Sequence, residues 1–403
     1  MISLTDTGSR PAVRVRGALL AALALLSAIA PFSTDLYLSA FPIMTRELGT
    51  TPTGVQLTLT AFLIGVAIGQ IVLGPLSDRI GRKPPLLGSA IVLVVASAVT
   101  VFAPDITVLI VARLVQGAAG AAGMVLSRAI IADLAKGAAA ARAMSLMMLI
   151  GGLAPVAAPL LGSLLLDPLG WRGVLGVVLA LTVAILLVVI FVVPETHAPR
   201  PRLDGPRPWV RMFGDRVYVG WAATFAFSFA TLMAYISASP FVYQEVIGLD
   251  TIPYGLSFAA NSVGLAAMGA LSARIVTRVG PQRIAFTGVL LLFGAGAATL
   301  VIALVPAIPD ILLMVSMFVV VSSVGLVMGN ASALAIGAVP LATGAASAVM
   351  GMVQFILGAV VSPLVSLDGG RSAVPVGIVM TLSAAVAVLA CLAARDLRSR
   401  SRD

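Results

Sequence analysis

Two charged residues sit where charge is expensive. Asp35 lies in Pro31-Phe-Ser-Thr-Asp-Leu-Tyr-Leu, within a mainly apolar run that continues to Met44. Arg113 lies in Leu109-Ile-Val-Ala-Arg-Leu-Val-Gln-Gly, within another. An ionised side chain at membrane depth costs several kcal/mol unless it is paired, solvated or, for a carboxylate, protonated. Asp35 in such a place is suited to carrying a proton. If the two runs are helices of opposite direction, both residues fall at similar depth. A direct or water-bridged Asp–Arg pair would then relieve both desolvation costs, and protonating the aspartate would free the arginine. A static ion pair, or an aspartate reaching outside water from a helix end, remains an alternative. Gln116 shares the Arg113 face by i+3 spacing.

Three further patterns invite chemistry or motion. Gly74-Pro-Leu-Ser-Asp-Arg-Ile-Gly-Arg-Lys falls between two apolar runs and reads as a loop. Gly74 and Gly81 permit a tight turn there. Asp78 can accept from a helix N-terminus or an arginine, and Arg79, Arg82 and Lys83 can meet lipid phosphates or acidic groups. Next, Ala154-Pro-Val-Ala-Ala-Pro-Leu-Leu-Gly-Ser places Pro155 and Pro159 four apart with Gly162 nearby. Such prolines remove backbone donors and bend a helix, while small residues allow close packing. Finally, the apolar runs of the second half carry no charge in their interiors; their polar residues are Tyr235, Asn261, Asn330 and Gln354, with Ser and Thr. These are candidate substrate contacts, or equally helix-packing groups. Any ion coupling must then use the first half.

The elements that position these residues follow from composition. The chain has 403 residues, 60% hydrophobic and 10% charged, against about 25% charged in soluble domains. Its mean hydropathy is +1.11. A spanning helix needs roughly 20 apolar residues, and long alternating strands are absent, so the expectation is an all-α membrane protein. Twelve spans are predicted: 17–42, 55–76, 85–103, 107–131, 143–166, 172–193, 217–241, 253–274, 284–305, 311–336, 342–366 and 373–394. Two halves of six follow, residues 1–195 and 217–403, with a basic, proline-rich linker at 196–216 and a short C-terminal tail. Gly269-Ala-Leu-Ser-Ala-Arg repeats Gly74-Pro-Leu-Ser-Asp-Arg at the end of the eighth span, which supports duplication. With both termini inside, 20 of the 25 lysines and arginines fall in inner segments and only Arg46, Arg172 and Arg371 outside. That bias places both termini, the linker and the tail in the cytoplasm. The basic segments then face anionic lipid, so the net charge of +9 does not call for nucleic acid. A single histidine, His197, and a single cysteine, Cys391, leave no metal site, no disulfide framework and no catalytic dyad. Neither a cofactor nor an enzymatic activity is expected. The N-terminal run ends in an A-x-A-like site at Ala28-Ile29-Ala30, but Pro31 follows at once, so it is expected to be retained as a helix.

Taken together, these residues resemble the major facilitator superfamily across nearly the whole chain. Gly74 to Lys83 is similar to the family's signature between helices two and three. Arg113 with Gln116 and Gly117 is similar to its helix-four motif, and Ala154 to Ser163 to its helix-five antiporter motif, with only Pro159 and Gly162 matching the usual form. More narrowly, Ser33-Thr-Asp-Leu-Tyr-Leu-Ser-Ala-Phe-Pro, Gln56-Leu-Thr-Leu-Thr, Ser239-Pro-Phe-Val-Tyr and the Ala-Pro-x-x-Ala-Pro variant resemble the bicyclomycin and chloramphenicol resistance subgroup of bacterial drug:proton antiporters. The resemblance implies two pseudo-symmetric six-helix bundles around a midplane site. It also implies Asp35 as the coupling acid with Arg113, a conformational role for the Gly74–Lys83 motif, and Tyr37 and Gln116 among the candidate substrate contacts. The expected activity is proton-coupled efflux of small amphipathic, drug-like molecules by a monomer in the bacterial inner membrane. Import of a specific metabolite by symport or uniport is the alternative.

Overall fold

The computed structural model describes residues 17–135, 137–196, 212–305 and 307–400. His197 and most of the expected linker at 196–216 lie outside the described residues. All regular structure among those described is helical. The helices are α1 (Gly17–Asp35), α2 (Phe41–Glu47), α3 (Pro52–Ile80), α4 (Lys83–Val101), α5 (Ile106–Leu134), α6 (Gly137–Phe191), α7 (Arg216–Phe241), α8 (Thr251–Val279), α9 (Pro281–Leu304), α10 (Asp310–Ala338), α11 (Thr343–Val361) and α12 (Val374–Arg400). Among the described residues, eleven helical segments are long and apolar enough to cross a membrane. Side chains such as Val95, Phe191 and Leu389 stand on the outer surface, where lipid rather than water is their natural solvent.

Local chemistry sets the helix starts. Thr51 caps α3 by accepting from the Gly54 N–H. Asp105 caps α5 by accepting from Thr107 and Val108 at 2.8 and 2.9 Å, and Asp215 caps α7 through Tyr218. Prolines occupy the first turns of α3, α4 and α9, where a missing N–H breaks no helical bond.

Three boundaries differ from expectation. The first crossing is broken: α1 stops at Asp35, and a 3-10 turn at Leu38–Ala40 leads into α2. Pro31 and Pro42 remove backbone donors on either side, which weakens the helix between them. Second, Gly74 to Ile80 form the last turns of α3, so most of the expected loop motif is helical. Only Gly81, with φ +97°, and Arg82 make the turn. Third, no loop separates the fifth and sixth predicted spans. Helix α6 covers 55 residues and breaks at Gly170, with φ 63° and ψ 173°, a conformation that glycine adopts without strain.

Residues 17–191 pack α3 on α5, α1 on α6 and α4 on both α5 and α6. Residues 216–400 pack α7 on α12, and α9 on α10 and α12. Between these two sets, α3 lies along α11, and α6 along α8. Those two seams enclose the site.

Candidate functional site

A cavity of about 270 Å³ lies between the two sets of helices. Leu63 and Val66 of α3, Met124 of α5, Phe229 and Met233 of α7, and Phe355 of α11 make its wall mostly apolar. Its few polar side chains are Thr34, Asp35, Tyr235, Ser262 and Gln354. Asp35 is its only charged lining residue among those described. Because α1 ends at Asp35, the carboxylate stands at a helix break and is 5% exposed. It accepts from Thr34 Oγ1 at 2.8 Å.

Arg113 is fully buried in α5. Its guanidinium donates to the Ser33 carbonyl at 2.7 Å and to Gln116 Oε1 at 2.6 Å, and Gln116 passes the network on to Ser97 at 2.8 Å. The rings of Tyr37 and Phe62 cover it at 4.3 and 4.7 Å. The direct Asp35–Arg113 pair is therefore not formed: no ion pair within 4.0 Å joins them. Instead Arg113 grips the backbone two residues before Asp35. The physical reason is the break in α1, which turns the Ser33 carbonyl outward as an acceptor. Arg113 Nε has no partner, so the arginine holds donor capacity in reserve.

Of the six candidate substrate contacts, Tyr235 and Gln354 line the cavity. Gln354 presents a buried, unpartnered Oε1. Tyr37 is committed to Thr58 at 2.9 Å and to Arg113, and Gln116 to Arg113 and Ser97. Asn261 donates to Tyr235 and Tyr243 at 2.7 and 3.3 Å, so it orients the cavity tyrosine from behind. Asn330 donates to Ser272 and to the Leu326 carbonyl and ties α10 to α8. Sequence reasoning did not single out the supporting ring cluster of Tyr243, Tyr254 and Phe258. Aromatic content alone carries no signal that those rings converge.

The Gly74–Lys83 motif builds a second polar centre at the far end of α3. Arg82 donates to Asp78 at 2.5 Å, to Asp133 at 2.9 Å and to Ser77 at 2.7 Å. Glu195 accepts from the backbone N–H groups of Arg82 and Lys83 at 2.8 and 2.9 Å, so it caps α4 where Asp78 was a candidate. Burial works against the Arg82 charge, but Asp133 and Asp78 more than offset it and hold its guanidinium more firmly protonated than usual. Arg79 makes no described ion pair. In α6, Pro155 lines the cavity, and Gly162 lies so close to the Leu36 carbonyl that a Cβ would collide with it. Pro159 sits between them.

The seams close at the end that carries Arg46. Arg46 pairs with Glu245 at 2.9 Å. Gln244 donates to the Ser39 carbonyl, Gln56 to the Ser237 carbonyl and Ser366 Oγ, and Thr53 to the Ser366 carbonyl.

Two helix sets around a shared, apolar cavity with one carboxylate define a membrane transporter. The chain matches the Major Facilitator Superfamily over residues 23–363 and belongs to it. It is 31% identical to an uncharacterized MFS-type transporter of Bacillus subtilis, covering 94% of this chain and 96% of that one. It is 30% identical to a bicyclomycin resistance protein homolog of Haemophilus influenzae, over 94% and 96%. To the multidrug resistance protein MdtL of Citrobacter koseri it is 25% identical, over 80% and 82%. Among solved structures, a bacterial homolog of the human lysosomal transporter Spinster, inward-facing and occupied, superposes with a TM-score of 0.75 at 18% identity and 98% coverage of both chains. The likeness to the bicyclomycin-resistance subgroup thus extends over nearly the full chain.

Proposed function

We propose that the protein is a proton-coupled exporter of small amphipathic molecules that works by alternating access in the bacterial inner membrane. The observation that carries this reading is the cavity: an apolar chamber between the helix sets, with Asp35 as its single described charge. Apolar walls suit lipophilic substrates, and one buried carboxylate suits a proton. The names of the resistance-protein relatives support the same substrate class.

In this reading residues 1–195 and 217–403 form six-helix halves joined by the linker at 196–216, and both termini are cytoplasmic. The break at Gly170 divides α6 into two crossings and supports a count of twelve. The Arg46 end then faces outside, closed by its hydrogen bonds and ion pair, and the Arg82 centre faces the cytoplasm. The Arg113–Ser33 bond fixes the break that presents Asp35. Protonation of Asp35 and substrate occupancy alternate, with Arg113 free to swing toward the ionised carboxylate. The protein acts as a monomer surrounded by lipid.

Efflux under an imposed pH gradient tests the assignment. Asp35→Asn keeps side-chain volume but cannot titrate. It is expected to abolish uphill export while retaining substrate binding. Full gradient-driven efflux by the variant at matched expression would sink Asp35 as coupling acid. Substrate uptake driven by the same gradient would replace export by symport, and gradient-independent flux in the wild type would indicate uniport.

A further inference from the structure

Two hydrogen bonds across the seams share one design. In the first, Thr60 Oγ1 of α3 donates to the Ala359 carbonyl of α11 at 3.1 Å. Residue 359 would normally be served by the N–H of residue 363, which is Pro363 and has none. Helical bonding reaches that point, because the Ser362 N–H still donates to Gly358. In the second, Ser262 Oγ of α8 donates to the Pro155 carbonyl of α6 at 3.0 Å. Its normal donor would be residue 159, which is Pro159. Each seam thus contains a carbonyl that a proline has orphaned and a hydroxyl from the opposite helix set that satisfies it. At 1.5 Å per residue the hydroxyls lie about 12 and about 16 Å from the starts of α3 and α8, so they sit at comparable depth.

We infer that Thr60 and Ser262 are paired latches that close the two seams by serving carbonyls which Pro363 and Pro159 leave without a helical donor. The inference rests on the alternating-access reading given above. A buried carbonyl without a donor is unfavourable, so the closed seam needs the hydroxyl. When the seam opens, water takes over as donor and the carbonyl loses nothing. The prolines make the helices cling to each other only while they touch, which a complete helix, satisfied internally in both states, does not do. The two latches differ in strength. Ala359 is buried and neither it nor Thr60 lines the cavity, so water reaches this bond less readily. Pro155 and Ser262 both line the cavity, so water can partly replace the serine.

The test reads the seam directly. Spin labels at Phe102 and Leu367, which are 77% and 70% exposed on opposite helix sets near the Arg46 end, report the closed and open populations. The measurement uses the full chain in lipid nanodiscs with Cys391→Ala. Thr60→Val is expected to raise the open-to-closed ratio about tenfold and Ser262→Ala about threefold, in the range for lost hydrogen bonds. Thr60→Ser should restore the wild-type ratio. The decisive step restores the helical donors: Thr60→Val should have almost no effect on top of Pro363→Ala, and Ser262→Ala almost none on top of Pro159→Ala. Equal effects with and without the proline, or a ratio indifferent to both hydroxyls, would overturn the latches while two populations remain. A single label distance in every variant and at every pH from about 5 to about 9 would overturn alternating access, and the latches with it.

Discussion

The Arg82 centre allows a ranking that sequence order does not suggest. Asp78 belongs to the sequence motif and Asp133 does not, yet both bind the same guanidinium. The Asp78 side chain is 62% exposed, that of Asp133 19%, and that of Arg82 9%. An exposed pair in high dielectric is worth about 0.2–1 kcal/mol. A charge-assisted bond shielded from water is worth about 1.5–3 kcal/mol. Asp133→Asn should therefore destabilise the protein several times more than Asp78→Asn. Thermal midpoints shift by about 2–4 °C per kcal/mol for 150–250 residues and by less for longer chains. At about 1–2 °C per kcal/mol here, Asp78→Asn costs about 0.2–2 °C and Asp133→Asn about 1.5–6 °C. Intrinsic tryptophan fluorescence of the purified protein in detergent measures both. Transport should follow the same order: each variant slows flux with substrate affinity nearly intact, because the centre lies far from the cavity, and Asp133→Asn slows it more. A larger loss of both stability and flux in Asp78→Asn would refute the assumption that burial sets the strength of these bonds.

Other outcomes follow from the same structure. An impermeant thiol reagent applied from outside should label a cysteine at position 250 and spare one at position 204; the reverse pattern would invert the proposed topology. Arg113→Ala removes the grip on the Ser33 carbonyl and should cripple coupled efflux, whereas Gln116→Leu, which leaves that bond in place, should cost less; equal losses in an efflux assay would count against the Ser33 contact. Gly162→Val drives a branched side chain into the Leu36 backbone, so folded yield by size-exclusion chromatography should fall sharply, while Gly176→Val, where a Cβ meets nothing within 4 Å, should be tolerated.

Much of this protein was legible in its sequence, because membrane burial demands long apolar runs and makes each interruption informative. Composition alone pointed to the helical membrane class, and most helix boundaries fell within a few residues of expectation. Asp35 and Arg113 stood out because charge in an apolar run is costly wherever the helix ends up. The segment around Gly170 was harder: Asp167-Pro-Leu-Gly-Trp-Arg between two apolar runs does not say whether the chain loops or kinks. Tertiary structure decided the partners. Arg113 took the Ser33 carbonyl rather than Asp35 because the end of α1 exposed that acceptor, and Glu195, 113 residues from Arg82, capped α4. It also separated Tyr235 and Gln354, which face the cavity, from Asn261 and Asn330, which bind neighbouring helices. One-dimensional patterns fix how much polar or apolar surface a segment carries. Which long-range neighbour meets each polar atom depends on helix rotation and crossing, and only the packed structure sets those.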